Sequence, residues 1–107
     1  MARAATAGLL PLGVALVRGD SMRPTLAPGD RLLVRYTVRP RPGGVVVARF
    51  ADGAVVVKRA TERRDGGWWL ASDNPDVGVD SRHRGVVREE DVVAVALARI
   101  WPRPRRL

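Results

Sequence analysis

The sequence predicts a mainly β fold, in the form of a small single-domain coiled β-sheet or partial barrel. Short runs rich in valine and leucine recur about every ten residues, and glycine- and proline-containing turns separate them. The sequence also lacks any long helical pattern. The 107 residues suffice for one domain, and because only 5% of them are aromatic, valine, leucine and alanine must fill the core.

The apolar runs, taken in order, predict the strands. The second strand follows the Gly29-Asp30 turn, and the third and fourth form a hairpin because Ala51-Asp52-Gly53 is a typical three-residue connection. Alanines in the last run leave a helix possible there. The six predicted strands are Val14–Arg18, Arg31–Tyr36, Val45–Phe50, Ala54–Ala60, Trp68–Ala71 and Val92–Ile100.

The remaining segments are predicted to be irregular. Ser72–Gly85 is polar and contains a proline and two glycines, so it is expected to form a loop, whereas Glu89–Asp91 is expected to form a helical turn. We expect a single domain over residues 1–107, with residues 1–13 flexible and 102–107 a solvated basic tail. The uncharged stretch Ala4–Val17 is too short to span a bilayer, so a cytoplasmic protein is expected.

The composition limits the possible functions. The net charge of +8 favours anionic partners, but the arginines are dispersed without interleaved aromatic residues, so nucleic-acid binding is not expected as the main function. The chain has no cysteine and one histidine, His83, which makes a metal site improbable. We therefore expect no metal and no cofactor.

Two residues stand out chemically. Ser21 lies in a loop between an apolar run and a turn that contains Pro24, and Lys58 is the single lysine beside eighteen arginines. Arginine stays protonated and cannot accept a proton, whereas burial can lower the pKa of a lysine far enough for it to act as a base. Lys58 follows three valines that could provide such burial. A strand-end cation paired with an acid is the alternative interpretation of Lys58.

Four blocks of sequence resemble the type I signal peptidase-like Ser/Lys proteases. Together they run from residue 19 to residue 85, and their order and short spacers make the resemblance specific. Within the family the chain is most similar to the nickel-type superoxide dismutase maturation protease branch. The similarity lies in its short length and in the amino-acid sequences of Arg63–Leu70 and Asp73–Pro75. The four blocks are Gly19–Leu26, Gly29–Val34, Val57–Arg59 and Ser72–Gly85.

The resemblance implies a signal peptidase-like fold and a role for several residues. Ser21 would attack a peptide carbonyl, its backbone N–H would stabilise the oxyanion, and Lys58 would accept the hydroxyl proton. Met22 would pack beside the site. In the polar loop, Asp80 and Arg82 would form a structural pair and Ser81 would support the loop.

The sequence departs from the family at two positions. Some signal peptidases carry a hydroxyl two residues before the nucleophile as a second oxyanion donor, and this position is Gly19 here. The same enzymes carry a serine near the lysine ammonium at the position of Gly78. Backbone groups or water must therefore perform both tasks in this chain.

The expected partner is a protein precursor, possibly of nickel superoxide dismutase, whose N-terminal extension is removed. A general signal peptidase in peripheral contact with a membrane is one alternative. A self-cleaving repressor with a Ser/Lys dyad is another, and Ala7-Gly8 is the kind of bond that such proteins cut. A basic module that binds nucleic acid or anionic lipid is the alternative without catalysis.

Overall fold

The computed structural model describes residues 11–107 of the chain. Eight strands form one sheet in this part of the chain, together with a short helix, α1 (Ser81–Arg84), and a 3-10 turn at Glu89–Asp91. The strands are β1 (Leu12–Leu16), β2 (Arg31–Arg35), β3 (Gly44–Arg49), β4 (Val55–Arg64), β5 (Gly67–Ala71), β6 (Val87–Arg88), β7 (Val92–Trp101) and β8 (Arg105–Arg106).

The strands pair antiparallel throughout, in the order β1-β2-β7-β3-β4-β5-β6, with β8 on β7. The sheet curls into a half-barrel, which confirms the predicted mainly β fold. β4 is ten residues long and extends beyond the predicted Ala60. Its first half pairs only with β3, and its second half pairs with β5 from Arg59 onward.

Side-chain alternation on β3 divides the core into two clusters. Val45 and Val47 pack into one cluster with Met22 and Leu26, which come from the loop after β1. Val46 and Ala48, together with Trp68, belong to the other cluster. Because both faces of β3 are covered, its sequence is a continuous apolar run rather than an alternating one.

Several predicted boundaries differ from the structure. β7 is a strand throughout, so the helical alternative for this run is wrong. β1 begins at Leu12, so Leu12 and Gly13, predicted to be flexible, belong to a strand; residues 1–10 lie outside the described part of the chain. The basic tail is exposed as predicted, but Arg105 and Arg106 pair with β7 instead of remaining free of the fold.

The adjacent tryptophans on β5 face opposite sides, as strand geometry requires. Trp68 is buried in the second core cluster, and Trp69 is half-buried. Arg64 lies over the Trp69 ring, with its guanidinium carbon 4.0 Å from the ring centroid. No helix within residues 11–107 has the length and apolar character needed to cross a membrane.

We expect Gly67→Ala to destabilise the fold. A Cβ at Gly67 would overlap the Val87 carbonyl oxygen, which is a backbone atom of the paired strand β6 and cannot move alone. Overpacking of this kind costs about 1–3 kcal/mol of unfolding free energy, measurable by urea denaturation. Gly44→Ala is the matched control, because its Cβ would meet its nearest neighbour at 3.1 Å and needs only a small adjustment. Equal stability losses in the two variants would contradict this explanation.

Candidate active site

Ser21 lies in a loop whose two ends are joined to each other by backbone hydrogen bonds. The Val17 N–H donates to the Asp30 carbonyl and the Gly29 N–H donates to the Val17 carbonyl, each at 2.9 Å, so the chain leaves and re-enters the sheet at one point. Asp30 shapes the turn as predicted, because its carboxylate accepts the Ala27 N–H at 3.0 Å. The loop therefore holds Ser21 against the sheet.

The side chain of Met22 attaches this loop to the hydrophobic core. Its side chain is fully buried in the first core cluster, and its carbonyl accepts the Leu26 N–H at 2.9 Å. Because Met22 faces inward, its neighbour Ser21 is directed out of the core toward β4.

Lys58 meets Ser21 from β4. The Lys58 Nζ donates to the Ser21 Oγ at 2.8 Å, and the Lys58 side chain is only 3% exposed. Burial lowers the pKa of Lys58 below its ordinary value, and the negative charge of Asp80 opposes this effect without reversing it. The structure thus pairs the two residues that the sequence singled out, a hydroxyl and an amine that is easier to deprotonate than an exposed lysine.

Asp80 is the N-cap residue of helix α1, and its side chain is buried. Its carboxylate accepts hydrogen bonds from the Ser72 N–H, the Arg82 N–H and the Arg82 Nε, each at 3.0 Å. Burial alone would raise the pKa of Asp80, but these bonds outweigh it and hold the pKa below its ordinary value. Asp80 is therefore a buried anion close enough to Lys58 to influence its charge.

Ser81 and Arg82 fix the polar loop to the sheet and to Asp80. The buried Ser81 Oγ accepts the Leu70 N–H of β5 at 2.8 Å. Arg82 pairs with Asp80 and also donates to the Pro75 carbonyl at 2.7 Å. His83 is exposed, and its Nδ1 accepts the Asp80 N–H at 3.3 Å.

A second group of contacts, which the sequence analysis missed, connects the polar loop to the loop that carries Ser21. Asp73 accepts the Thr25 hydroxyl at 2.6 Å and forms a two-pronged ion pair with Arg59, at 3.0 and 2.6 Å. The Asn74 N–H donates to the Ser21 carbonyl at 2.8 Å. The only sequence signal was the position of Asp73 and Asn74 soon after a predicted strand, which does not specify these partners.

Gly78 and Gly19 differ from the signal peptidase pattern for steric and conformational reasons. A Cβ on Gly78 would lie 2.8 Å from the Ser21 Cβ and 3.4 Å from the Lys58 Nζ, so the backbone of Gly78 occupies the space beside the pair. Its φ of +83° also disfavours a serine. Gly19 has a φ of +72°, which lets the chain turn sharply just before Ser21.

Two cavities flank the Ser21–Lys58 pair. The larger, of about 510 Å³, is an apolar groove between β1 and the first half of β4, and Tyr36 lies along it over Gly13. The smaller, of about 290 Å³, lies on the side of Val77 and Gly78. Residues 11–107 contain no cluster of acidic or histidine side chains that could hold a metal ion.

A hydroxyl hydrogen-bonded to a buried amine, at the centre of an open groove in a β-sheet, has the layout of a hydrolase that uses serine. The chain belongs to the Peptidase S24-like family, whose model matches residues 10–97. This family supports a serine peptidase-type function. The comparison with curated proteins found no match.

We expect Asp80→Asn to remove a stabilising contribution that depends on pH. The pKa of Asp80 is lower in the folded chain than the value of about 3.9 for an unfolded aspartate, so its ionisation stabilises the fold above that value. This contribution is lost as the pH falls through the lower, folded pKa. The variant should lose about 1–3 kcal/mol of unfolding free energy at pH 7, and its difference from the wild type should shrink toward pH 2.

Urea denaturation at a series of pH values measures this difference. Asp76→Asn is the matched control, because Asp76 is exposed and forms no ion pair within residues 11–107. A stability difference for Asp80→Asn that stays constant from pH 7 to pH 2 would contradict the prediction.

Proposed function

We propose that this protein is a serine endopeptidase in which Ser21 is the nucleophile and Lys58 the general base, and that it removes an N-terminal extension from a protein precursor. The observation that carries the proposal is the 2.8 Å hydrogen bond between the Lys58 Nζ and the Ser21 Oγ. The membership of the Peptidase S24-like family supports the same class of reaction.

The proposed reaction has two stages. In the first, neutral Lys58 accepts the hydroxyl proton of Ser21 while the Ser21 Oγ attacks the peptide carbonyl carbon. The Lys58 ammonium then gives this proton to the leaving amine as the C–N bond breaks, which leaves an ester on Ser21. In the second stage, Lys58 deprotonates a water molecule that attacks the ester, and Ser21 recovers its proton.

The backbone of the nucleophile loop can supply an oxyanion donor. The Ser21 N–H donates to no acceptor within residues 11–107, so it is free for the negative oxygen that forms during attack. One such donor lowers the barrier by about 2.7–4 kcal/mol. Gly19 has no hydroxyl for this task, so a second donor must come from backbone or water.

The groove fits an extended peptide. β1 pairs only with β2 within the described residues, and Val55–Lys58 of β4 pairs only with β3, so two strand edges with free hydrogen-bonding groups face the groove. An extended chain can pair with such an edge while alternate side chains enter the apolar groove. A flexible N-terminal extension has the required conformation. We take the nickel superoxide dismutase precursor as the first candidate, on the sequence resemblance described above.

We expect wild-type protein to cut this precursor once near its N-terminus, and Ser21→Ala and Lys58→Met to leave it uncut. Ser21→Ala removes the nucleophile, and Lys58→Met keeps the length and packing of the buried side chain while it removes the base. The loss should be at least about a thousandfold in rate, because the two groups act as a unit. Mass spectrometry of the precursor after incubation measures the cut, and circular dichroism verifies that the variants are folded.

The same mass spectrometry measurement distinguishes the proposed function from the alternative functions. Cleavage of an Ala-x-Ala signal peptide but not of the precursor would indicate a general signal peptidase. A change in the intact mass of the protein itself would indicate self-cleavage; the Ala7-Gly8 bond lies outside the described residues. Absence of any cleavage, with salt-sensitive binding to DNA or lipid that survives Ser21→Ala, would contradict the peptidase proposal.

One observation favours the general signal peptidase as the second candidate. Leu12, Val14 and Leu16 of β1 point away from the core and are 41–61% exposed, and Trp101 is 52% exposed. An apolar strand beside the groove could contact a membrane surface, where tryptophan is often found. Faster signal-peptide cleavage in the presence of anionic vesicles would support this candidate.

We also expect kcat/KM to rise with pH along a single ascending limb whose midpoint is set by the pKa of Lys58. The base must be neutral in the free enzyme, and because burial lowers the pKa of Lys58, the limb should lie below the ordinary titration range of lysine. The charge of Asp80 raises this pKa, so Asp80→Asn should move the limb to lower pH. Rates of peptide cleavage from pH 5 to pH 10 measure both positions. A limb that moves to higher pH in the variant would contradict the assignment.

A further inference from the structure

Arg18 is a cation beside the proposed catalytic pair that has no ion-pair partner within residues 11–107. It precedes Ser21 by three residues, is exposed, and lines both the apolar groove and the smaller cavity. The hydrogen bonds and ion pairs within residues 11–107 do not include its guanidinium. An arginine side chain carries five donors and a permanent charge, so it can bind an anion that enters either cavity.

The carboxylates around the smaller cavity are already engaged. Asp20 forms an ion pair with Arg23 at 2.6 Å, and Asp52 forms one with Arg84 at 2.8 Å. Arg84 itself lines the smaller cavity, so this side of the site carries a second guanidinium. Among the described residues, Arg18 is therefore not neutralised from within the fold, which leaves its charge available to a substrate.

Both cavities are mainly apolar. Apart from Arg18, Tyr36 and the Ser21–Lys58 pair, the larger groove is lined by apolar side chains, most of them valine. The smaller cavity is lined by apolar side chains together with Arg18, Arg84 and the already paired Asp20. Because Arg18 lines both cavities, it is the unpaired charge that a peptide crossing Ser21 would meet among the described residues.

We propose that Arg18 determines specificity by binding an acidic side chain of the substrate, located within about three residues of the cleaved bond. This inference rests on the proposed peptidase function. An extended chain advances about 3.3 Å per residue, so side chains beyond this distance leave the reach of Arg18. The preferred substrate then carries an aspartate or glutamate close to the cut.

The strength of the effect follows from the exposure of Arg18. Ion pairs at exposed positions contribute modestly, which corresponds to about a two- to fivefold preference for an acidic over a neutral side chain. Because added salt screens such pairs, the preference should decrease as ionic strength rises. Geometry that allows a two-pronged contact between guanidinium and carboxylate would bring the preference to the upper end of this range.

Synthetic peptides that contain the bond cut by the wild type test the proposal. Aspartate, asparagine or lysine is placed in turn at each of three positions on either side of the bond, and kcat/KM is measured for each peptide. We expect the aspartate-to-asparagine ratio to reach about two to five at one or more of these positions. The ratio should fall to about one in Arg18→Ala, and Arg18→Glu should prefer lysine to aspartate.

Arg35→Ala is the matched control. Arg35 is also exposed and without an ion pair within residues 11–107, but it lines neither cavity, so its loss changes the net charge equally and should leave the ratio unchanged. An aspartate preference that persists in Arg18→Ala, or that is absent at every tested position in the wild type, would overturn the proposal. Failure of the wild type to cut any peptide would instead contradict the proposed function.

Discussion

The structure depends on the burial of one amine against one hydroxyl. A charged lysine in this position would lose its hydration without an ion-pair partner in direct contact, so burial favours the neutral form of Lys58. Within residues 11–107, no strand pairs with the opposite edge of the first half of β4, so the site of Lys58 borders the groove. The same desolvation that lowers the pKa of Lys58 leaves more of the amine in the neutral form, which is the form that the proposed proton transfer from Ser21 requires.

The polar loop between β5 and β6 holds Ser21 and Lys58 in a fixed position relative to each other. Asp80 joins the loop to the end of β5 and to Arg82, while Asp73 joins it to Thr25 in the loop that carries Ser21 and to Arg59 beside Lys58. Both carboxylates remain ionised because their hydrogen bonds outweigh burial. Ser21 and Lys58, which are 37 residues apart in sequence, thus share one hydrogen-bonded support.

Sequence reasoning reached the fold class and the central pair because both have strong local signals. Valine runs with glycine turns define strands, and a single lysine among arginines marks a position where arginine would fail. The contacts of Asp73 and the open position of Arg18 could not be predicted, because they depend on which loops meet after the sheet curls. The pairing of Arg105 and Arg106 with β7 was missed for a similar reason, since a run of arginines does not have the pattern of a strand.

The two strand edges that have no pairing partner within residues 11–107 have a consequence for the proposed substrate choice. In the proposed peptidase these edges bind the peptide backbone, which is the same in every protein, and they can do so only when that backbone has no hydrogen-bond partners of its own. A segment already folded into a helix or sheet is therefore protected, whatever its sequence. If the protein matures a precursor, the order of events follows from geometry: the extension must be removed while it is unstructured, and a product that folds afterwards becomes resistant to a second cut.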